Sequence, residues 1–228
     1  MIENTFTPFL TKDRKLPPAL APALLHRFNS KDGYEMCPDV LEYLKSLSTP
    51  DRIARLRRAD RQGHGMSDHR VVVGIISNSD DRVPDVLSSL GITVKPLRHG
   101  DDARNFHPTN ETPDVDFAIM SYDVGFEKPD RRIFEAATDM LKSMLTAEGH
   151  REVELKYWRS IYVGDELEKD GFGAADAGWD SIVVDRDGAL NDRASASPDE
   201  SSVKHISRGD CSVMIARDFN DVREITHG

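Results

Sequence analysis

The sequence predicts an α/β fold, a Rossmann-like and mostly parallel sheet flanked by helices. Three short segments are rich in β-branched residues and apolar on both faces, which is typical of strands buried in a parallel sheet. They are residues 70–78, 161–163 and 181–184. Segments with apolar residues at helical spacing separate them. Because strands that alternate with helices form parallel sheets, we expect the polar residues that follow these strands to gather at one edge.

The N-terminal part of the chain predicts helices and loops. Residues 1–30 contain four prolines, which leave room for one short helix at 23–28. From Pro38 onward apolar residues recur at helical spacing, and a proline suits the first turn of such an amphipathic helix. The strongly polar and basic residues 49–69 separate this helix from the first clear strand, so we expect them to be an insertion.

The remaining elements are predicted from their start and stop signals. A helix at 80–90 begins with acidic residues and a proline and ends before Gly91. Residues 187–210 are rich in Asp, Ser, Arg and Gly and predict a mobile surface loop, while 98–114 predict another polar insertion. The other predicted elements are a strand at 117–122, helices at 130–145 and 171–177, a strand at 213–216 and a polar tail.

Composition and charge exclude several classes of protein. The chain has 228 residues, of which 38% are apolar, enough for one substantial core. A formal net charge of -10 argues against a nucleic-acid-binding surface across the whole protein. No run reaches the roughly 18–20 apolar residues of a membrane span. Cys37 and Cys211 are too few for a disulfide framework. We therefore expect an intracellular protein, cytoplasmic or nuclear, without a membrane partner.

Residues suited to phosphate and metal chemistry follow the predicted strands. Ser77 and Asn78 end the first strand, where a hydroxyl, an amide and the N–H groups of the next helix can bind an anion. Lys128 precedes a proline, whose effect on the backbone directs the ammonium away from the following helix. Asp165 and Asp170 follow the strand at 161–163, and two carboxylates at such a turn suit Mg2+.

Each of these residues has an ordinary structural alternative. Ser77 and Asn78 can cap the next helix, a role for which Asp80 competes. Lys128 can be a solvated surface lysine. Asp165 and Asp170 can be a helix cap and an exposed acid. The functional interpretation therefore depends on their combination and order.

The segments SNSDDR, GFEKPDRRIFEAA and YVGDELEKDGFGAADAGW together resemble the haloacid dehalogenase superfamily of hydrolases. They match the family's second motif at Ser77, its third at Lys128 and its fourth from Gly164 to Asp170. The resemblance implies a core of this family over residues 36–228, interrupted by the polar insertions. It also implies that residues 1–35 are the remnant of a cap or linker.

The resemblance implies Mg2+-dependent hydrolysis of small phosphorylated metabolites. In the family an aspartate attacks phosphorus, and a second aspartate two residues later acts as acid and base. Ser77 would hold a phosphoryl oxygen, and Lys128 would stabilise both the nucleophile and the phosphoryl group. Asp165 would bind Mg2+ directly. Asp170 would be a further ligand or would lie next to the ligands without binding the ion. Phosphoryl transfer needs mainly such positioning and cationic stabilisation.

The family's first motif, a hydrophobic strand followed by Asp-x-Asp-x-Thr or Val, has no match in this sequence. Asp13 lacks both a strand and a second acid. Asp185 and Asp187 have the right spacing but follow the fourth motif, and an Asp-Gly turn explains them better. In the family the first strand lies between those that end at Ser77 and Gly164. We therefore expect this strand and most of the helical cap to be absent, as in a shortened version of a longer hydrolase.

Two functions follow from this expectation. Without a covalent nucleophile the chain is predicted to be inactive or nearly so, although its parent would be a hydrolase. The alternative is a non-catalytic pseudoenzyme that binds an anion at Ser77 and Lys128, or a protein partner. An arginine-rich segment could also contact a nucleic acid or an import receptor, but a solvated helix face explains it better. Its members are Arg52, Arg55, Arg57, Arg58 and Arg61.

Overall fold

The strands of the protein form two separate sheets. The computed structural model describes residues 17–48, 71–105, 113–149, 158–191, 193–196 and 203–227. In the first sheet β1 (Gly74–Ser77) pairs in parallel with β2 (Phe117–Met120). The second sheet contains β3 (Ile161–Gly164), β4 (Asp180–Val184), β5 (Ser195–Ala196), β6 (Lys204–Arg208) and β7 (Cys211–Ala216).

The second sheet is parallel in the part that lies nearest the first. Its spatial order is β3-β4-β7-β6-β5, with β3, β4 and β7 parallel and β6 antiparallel to both of its neighbours. The predicted α/β fold with a mostly parallel sheet and flanking helices is confirmed. Among the described residues, β1 and β3 each have one strand partner, so their other edges carry no strand pairing.

Most of the helices lie at or near predicted positions, whereas the short helix Ser121–Val124 and the last helix were not predicted. A single π-helical turn, Leu167–Phe172, leads directly into a short helix where the sequence predicts one continuous helix at 171–177. The α-helices are α1 (Leu20–Phe28), α2 (Pro38–Ser48), α3 (Arg82–Ser89), α4 (Ser121–Val124), α5 (Arg131–Ala147), α6 (Gly173–Asp176) and α7 (Phe219–His227).

Helix α5 joins the cores of the two sheets. Its buried face includes Ile133 and Phe134, both 0% exposed, which pack in one cluster with Ile76 of β1, Ile119 of β2 and Tyr162 of β3. On the second sheet, Ile182 and Val184 pack instead with α2 and α7, and Val183 packs with the π-helical turn. Successive residues of β4 therefore face opposite layers, as in a strand covered on both sides.

Two predictions near the C-terminus are wrong. The loop predicted at 187–210 contains β6, which turns back onto β7 through Gly209 with φ of +59°. Ile206 is buried on this strand while Lys204 and Arg208 are exposed, and such alternation is the signature of a half-buried strand. The predicted polar tail is helix α7, which buries Val222 completely.

The three predicted insertions have different outcomes. Part of the range 98–114 is structured, because Arg98 forms a bridge to Ala118 and Ala103–Asn105 form a 3-10 helix. The range 187–210 contributes β5, β6 and the turn that leads into β7. The basic residues 49–69, with their five arginines, lie outside the described residues. None of the helices in the described part of the chain is long and apolar enough to cross a membrane.

The junction between the two sheets can be tested at Phe134. Its ring packs edge-on against Tyr162 and Trp179, with centroid distances of 5.3 and 5.9 Å. We expect Phe134→Ala to lower the free energy of unfolding by about 3–5 kcal/mol, because it leaves a cavity among buried aromatic rings. Urea unfolding followed by circular dichroism measures this loss. The control Tyr122→Ala removes a ring that is 76% exposed. We expect it to lower the free energy of unfolding by less than about 0.5 kcal/mol.

Candidate active site

The end of β1 holds the segment that contains Lys128. The Asn78 side chain accepts a hydrogen bond from the Lys128 backbone N–H at 2.7 Å and donates one to the Lys128 carbonyl at 3.1 Å. This pairing commits the amide to positioning the lysine segment. Ser77 is half-buried, and its hydroxyl has no hydrogen bond to another described residue. The backbone N–H of Arg82 at the start of α3 donates to Asp80. Ser77 and Asn78 do not take this capping role.

The Lys128 ammonium is largely buried and has two oxygen partners. It donates to Asp170 Oδ1 at 2.7 Å and to the Tyr162 hydroxyl at 2.9 Å. The lysine side chain is 13% exposed and that of Asp170 is 3% exposed. Because a buried charge is costly unless it is paired and hydrogen-bonded, the two residues stabilise each other in this geometry. The interpretation of Lys128 as a solvated surface lysine is therefore wrong.

Both oxygens of Asp170 are engaged. While Oδ1 accepts from Lys128, Oδ2 accepts the backbone N–H groups of Asp165 and Glu166 at 3.0 and 2.9 Å. The π-helical turn places Asp170 there, and such turns occur often at functional sites. Gly164 makes room for the carboxylate, since an added Cβ would overlap the Asp170 side chain. Asp170 is thus a buried group whose two oxygens both accept hydrogen bonds, and not an exposed acid.

The ionisation of the site follows from these contacts. Burial alone raises the pKa of Asp170, but the hydrogen bonds from Lys128 and from the backbone N–H groups outweigh it, and the net pKa is below the ordinary value. Burial lowers the pKa of Lys128, yet the neighbouring Tyr162 and Asp170 raise it above the ordinary value. Burial raises the pKa of Tyr162 to about 12. At neutral pH the site therefore holds an ammonium, a carboxylate and a neutral phenol.

Asp165 provides the free carboxylate of the fourth segment. It is exposed, and its side chain has no hydrogen bond or ion pair with another described residue. Asp170 has no oxygen left uncommitted, and no group of three or more His, Cys, Asp or Glu side chains converges within the described parts of the chain. Mg2+ commonly takes one or two carboxylates and fills its other positions with water and phosphate oxygens. The residues present fit such an ion through Asp165, with Asp170 fixing the backbone beside it.

The structure therefore brings most of the predicted site residues together. Asn78, Lys128 and Asp170 are linked directly, Asp165 is linked to Asp170 through its backbone, and Ser77 adjoins Asn78. Asp185 lies elsewhere, where its carboxylate accepts the N–H groups of Ala189 and Leu190 in a turn. That turn agrees with the structural interpretation of the Asp185 segment.

Sequence reasoning missed one member of the site, Tyr162. Its hydroxyl accepts from Lys128 and donates to the backbone carbonyl of Ile76 in β1 at 3.0 Å. The signal in the sequence is slight, because an aromatic residue inside a strand usually indicates core packing alone. Its polar partners are 34 and 86 residues away along the chain.

The α/β fold and the order of Ser77, Lys128 and the segment 164–170 resemble those of haloacid dehalogenase-like hydrolases. Sequence comparison agrees, because the chain is similar to proteins described as hydrolases, one of them of this type. It is 23% identical over 159 residues to haloacid dehalogenase-like hydrolase domain-containing protein 3 of Bos taurus, covering 70% of this chain and 51% of the relative.

Two microbial relatives extend the comparison. An uncharacterized hydrolase of Schizosaccharomyces pombe is 27% identical over 170 residues, covering 75% of this chain and 56% of the relative. A glyceraldehyde 3-phosphate phosphatase of Methanothermobacter thermautotrophicus is 29% identical over 110 residues, covering 48% of this chain and 39% of the relative. The chain spans about half the length of the curated relatives it matches. No family model matches it.

The Lys128–Asp170 pair predicts a specific dependence of stability on pH. Asp170→Asn leaves the buried ammonium without its counter-charge, so we expect the free energy of unfolding at pH 7 to fall by about 3 kcal/mol. The pKa of Asp170 is lowered by folding, so its contribution is present above the unfolded-state pKa of about 4 and is lost as the pH falls through the folded-state pKa. The variant and the wild type should therefore converge in acid.

Urea unfolding between pH 2 and pH 8 measures this convergence. Asp139→Asn is the matched control, because Asp139 is 75% exposed and its partner Lys142 is also at the surface. That substitution should change the free energy of unfolding by less than about 0.5 kcal/mol at every pH. A difference between wild type and Asp170→Asn that stays constant down to pH 2 would contradict the assigned role of the pair.

Proposed function

We propose that this chain is the phosphate-handling core of a Mg2+-dependent hydrolase that acts on small phosphorylated metabolites. The observation that carries the proposal is the buried Lys128 ammonium, fixed by Asp170 at the carboxyl edge of the strands. A preorganised cation in a site of low exposure stabilises the negative charge of a phosphoryl group more strongly than one in water. The similarity to a phosphatase of another organism supports the same reaction class.

The residues of the chain take distinct roles in this proposal. The Ser77 hydroxyl, which has no hydrogen bond to another described residue, donates to a phosphoryl oxygen. Lys128 donates its remaining N–H to the same group, while Asn78 and Asp170 hold the lysine in place. Asp165 provides a carboxylate for Mg2+, which neutralises phosphate charge when bound. The site is therefore a binding and charge-stabilising arrangement.

The proposed parent enzyme needs a nucleophile beside Lys128. In the superfamily an aspartate at the end of a central strand fills that role, and this strand lies between the counterparts of β1 and β3. Two observations support the proposal. Among the described residues, β1 and β3 each have an edge without a strand partner. The hydrogen bond from Tyr162 of β3 to the Ile76 carbonyl of β1 links the two strands. Asp170 is a poor candidate for the nucleophile, because its carboxylate is 3% exposed and already accepts three hydrogen bonds.

We expect the 228-residue chain to bind orthophosphate in the presence of Mg2+ but not to hydrolyse p-nitrophenyl phosphate. Isothermal titration calorimetry and a colorimetric assay measure the two properties. Lys128→Met should weaken orthophosphate binding by at least about tenfold, because it removes a charge-assisted hydrogen bond to the anion. The matched control is Lys142→Met, since Lys142 is 54% exposed on α5 and pairs with Asp139 outside the site.

The outcomes separate the parts of the proposal. Turnover that disappears in Lys128→Met but persists in Lys142→Met would show that the chain is active, against the expectation of inactivity. Orthophosphate binding of equal affinity in the wild type and Lys128→Met would contradict the assignment of the anion site.

A further inference from the structure

Tyr162 contacts the Lys128 ammonium and the backbone of β1, yet none of the assigned roles includes it. Its side chain is buried, its hydroxyl lies 2.9 Å from the Lys128 ammonium, and the same hydroxyl lies 3.0 Å from the Ile76 carbonyl. We propose that Tyr162 is a positioning residue that fixes the Lys128 ammonium for binding a phosphoryl anion. The inference deepens the proposed function and rests on it.

The numbers of donors and acceptors on each group determine which one donates in each hydrogen bond. A tyrosine hydroxyl has one hydrogen, and Tyr162 donates it to the Ile76 carbonyl. The lone pairs of the phenol oxygen are then left for Lys128, which can only donate. The β1 backbone thereby orients the phenol as an acceptor. Burial, which raises the pKa of Tyr162 to about 12, keeps this hydrogen on the oxygen at neutral pH.

The same count of donors and acceptors leaves one N–H of Lys128 for a ligand. An ammonium has three N–H bonds, and those of Lys128 have two acceptors among the described residues, Tyr162 and Asp170. Two fixed acceptors determine the direction of the third N–H far more narrowly than one would. With Tyr162 absent, the ammonium could rotate about its contact with Asp170, and the third N–H would lose its fixed direction.

Tyr162 also couples this direction to the end of β1. Its hydroxyl bonds to Ile76, the residue before Ser77, while Asn78 holds the Lys128 backbone. The lysine is therefore tied to β1 at its backbone and, through Tyr162, at its ammonium. The spacing between Lys128 and the Ser77 hydroxyl, which the proposed anion would bridge, depends on both ties.

A purely structural role for Tyr162 is the alternative to be tested. Its ring packs edge-on against Phe134 with a centroid distance of 5.3 Å, and this packing involves no polar atom. Tyr162→Phe keeps the ring and removes the hydroxyl alone. A positioning role therefore predicts changes at Lys128 in this variant, whereas a packing role predicts none.

The experiment compares the full chain with Tyr162→Phe and with a matched control, Tyr122→Phe, whose ring is 76% exposed. Lysine side-chain 1H–15N spectra report the Lys128 ammonium, assigned by its absence in Lys128→Met. Isothermal titration with orthophosphate and Mg2+ reports the anion site. We expect Tyr162→Phe to shift or broaden the Lys128 signal and to weaken orthophosphate binding about tenfold. Tyr122→Phe should leave both readouts at wild-type values.

A second measurement needs no variant. In the wild type the Tyr162 hydroxyl proton should exchange slowly with water and show a nuclear Overhauser effect to the Lys128 ammonium. Absence of that contact, or a Lys128 signal and orthophosphate affinity that are unchanged in Tyr162→Phe, would overturn the positioning role.

The outcomes for the two proposals are distinct. Equal orthophosphate binding by the wild type and Lys128→Met overturns the anion site, and the Lys128 signal still decides whether Tyr162 holds the ammonium. Loss of binding in Lys128→Met, with Tyr162→Phe indistinguishable from wild type, overturns the positioning role alone.

Discussion

The buried ion pair between Lys128 and Asp170 is the interaction on which the site depends. Each charged group is costly to remove from water, and the buried pair is stable because each group offsets the charge of the other and makes further hydrogen bonds. Lys128 belongs to the loop between α4 and α5, which follow the first sheet, and Asp170 belongs to the turn after β3. Their pairing therefore fixes how the two halves of the α/β layer meet at the carboxyl edges of their strands.

This constraint reaches into the backbone on both sides. Asp170 can approach Lys128 because a π-helical turn carries its carboxylate back over Gly164, where any side chain would obstruct it. On the other side, Asn78 holds the Lys128 backbone with two hydrogen bonds. Among the described residues the sheets are joined by side chains and by helix α5 beneath them, and not by a strand ladder. The geometry of the site therefore depends on how the two sheets are placed relative to each other.

Local patterns in the sequence predicted most of the fold and named most residues of the candidate site, but not the contacts among them. Strands β1, β3 and β4 are apolar on both faces, and α5 has a long amphipathic pattern, so each is visible from its own residues. Strand β6 was missed because one apolar residue, Ile206, lies among polar neighbours, and only pairing with β7 makes it a strand. The sequence analysis left open whether Asp170 is a metal ligand or lies beside the ligands, and the structure buries Asp170 while it leaves Asp165 exposed. Tyr162 was missed because its hydrogen-bond partners are distant in the chain.

The charges of the site explain why a cation other than Lys128 is needed for the proposed function. Asp170 offsets the charge of the Lys128 ammonium, and exposed Asp165 adds a negative charge beside them, so the three residues together carry a net charge of about -1. The protein as a whole has a formal net charge of -10. A phosphate dianion would approach an environment that is negative overall, where the one N–H of Lys128 left for a ligand would not offset the surrounding negative charge by itself. A divalent ion bound at Asp165 would reverse the sign of the local charge, and Lys128 would then contribute direction as much as charge. The positioning of the ammonium by Asp170, Asn78 and Tyr162 is consistent with a site in which the divalent ion would supply most of the positive charge and Lys128 would orient the phosphate.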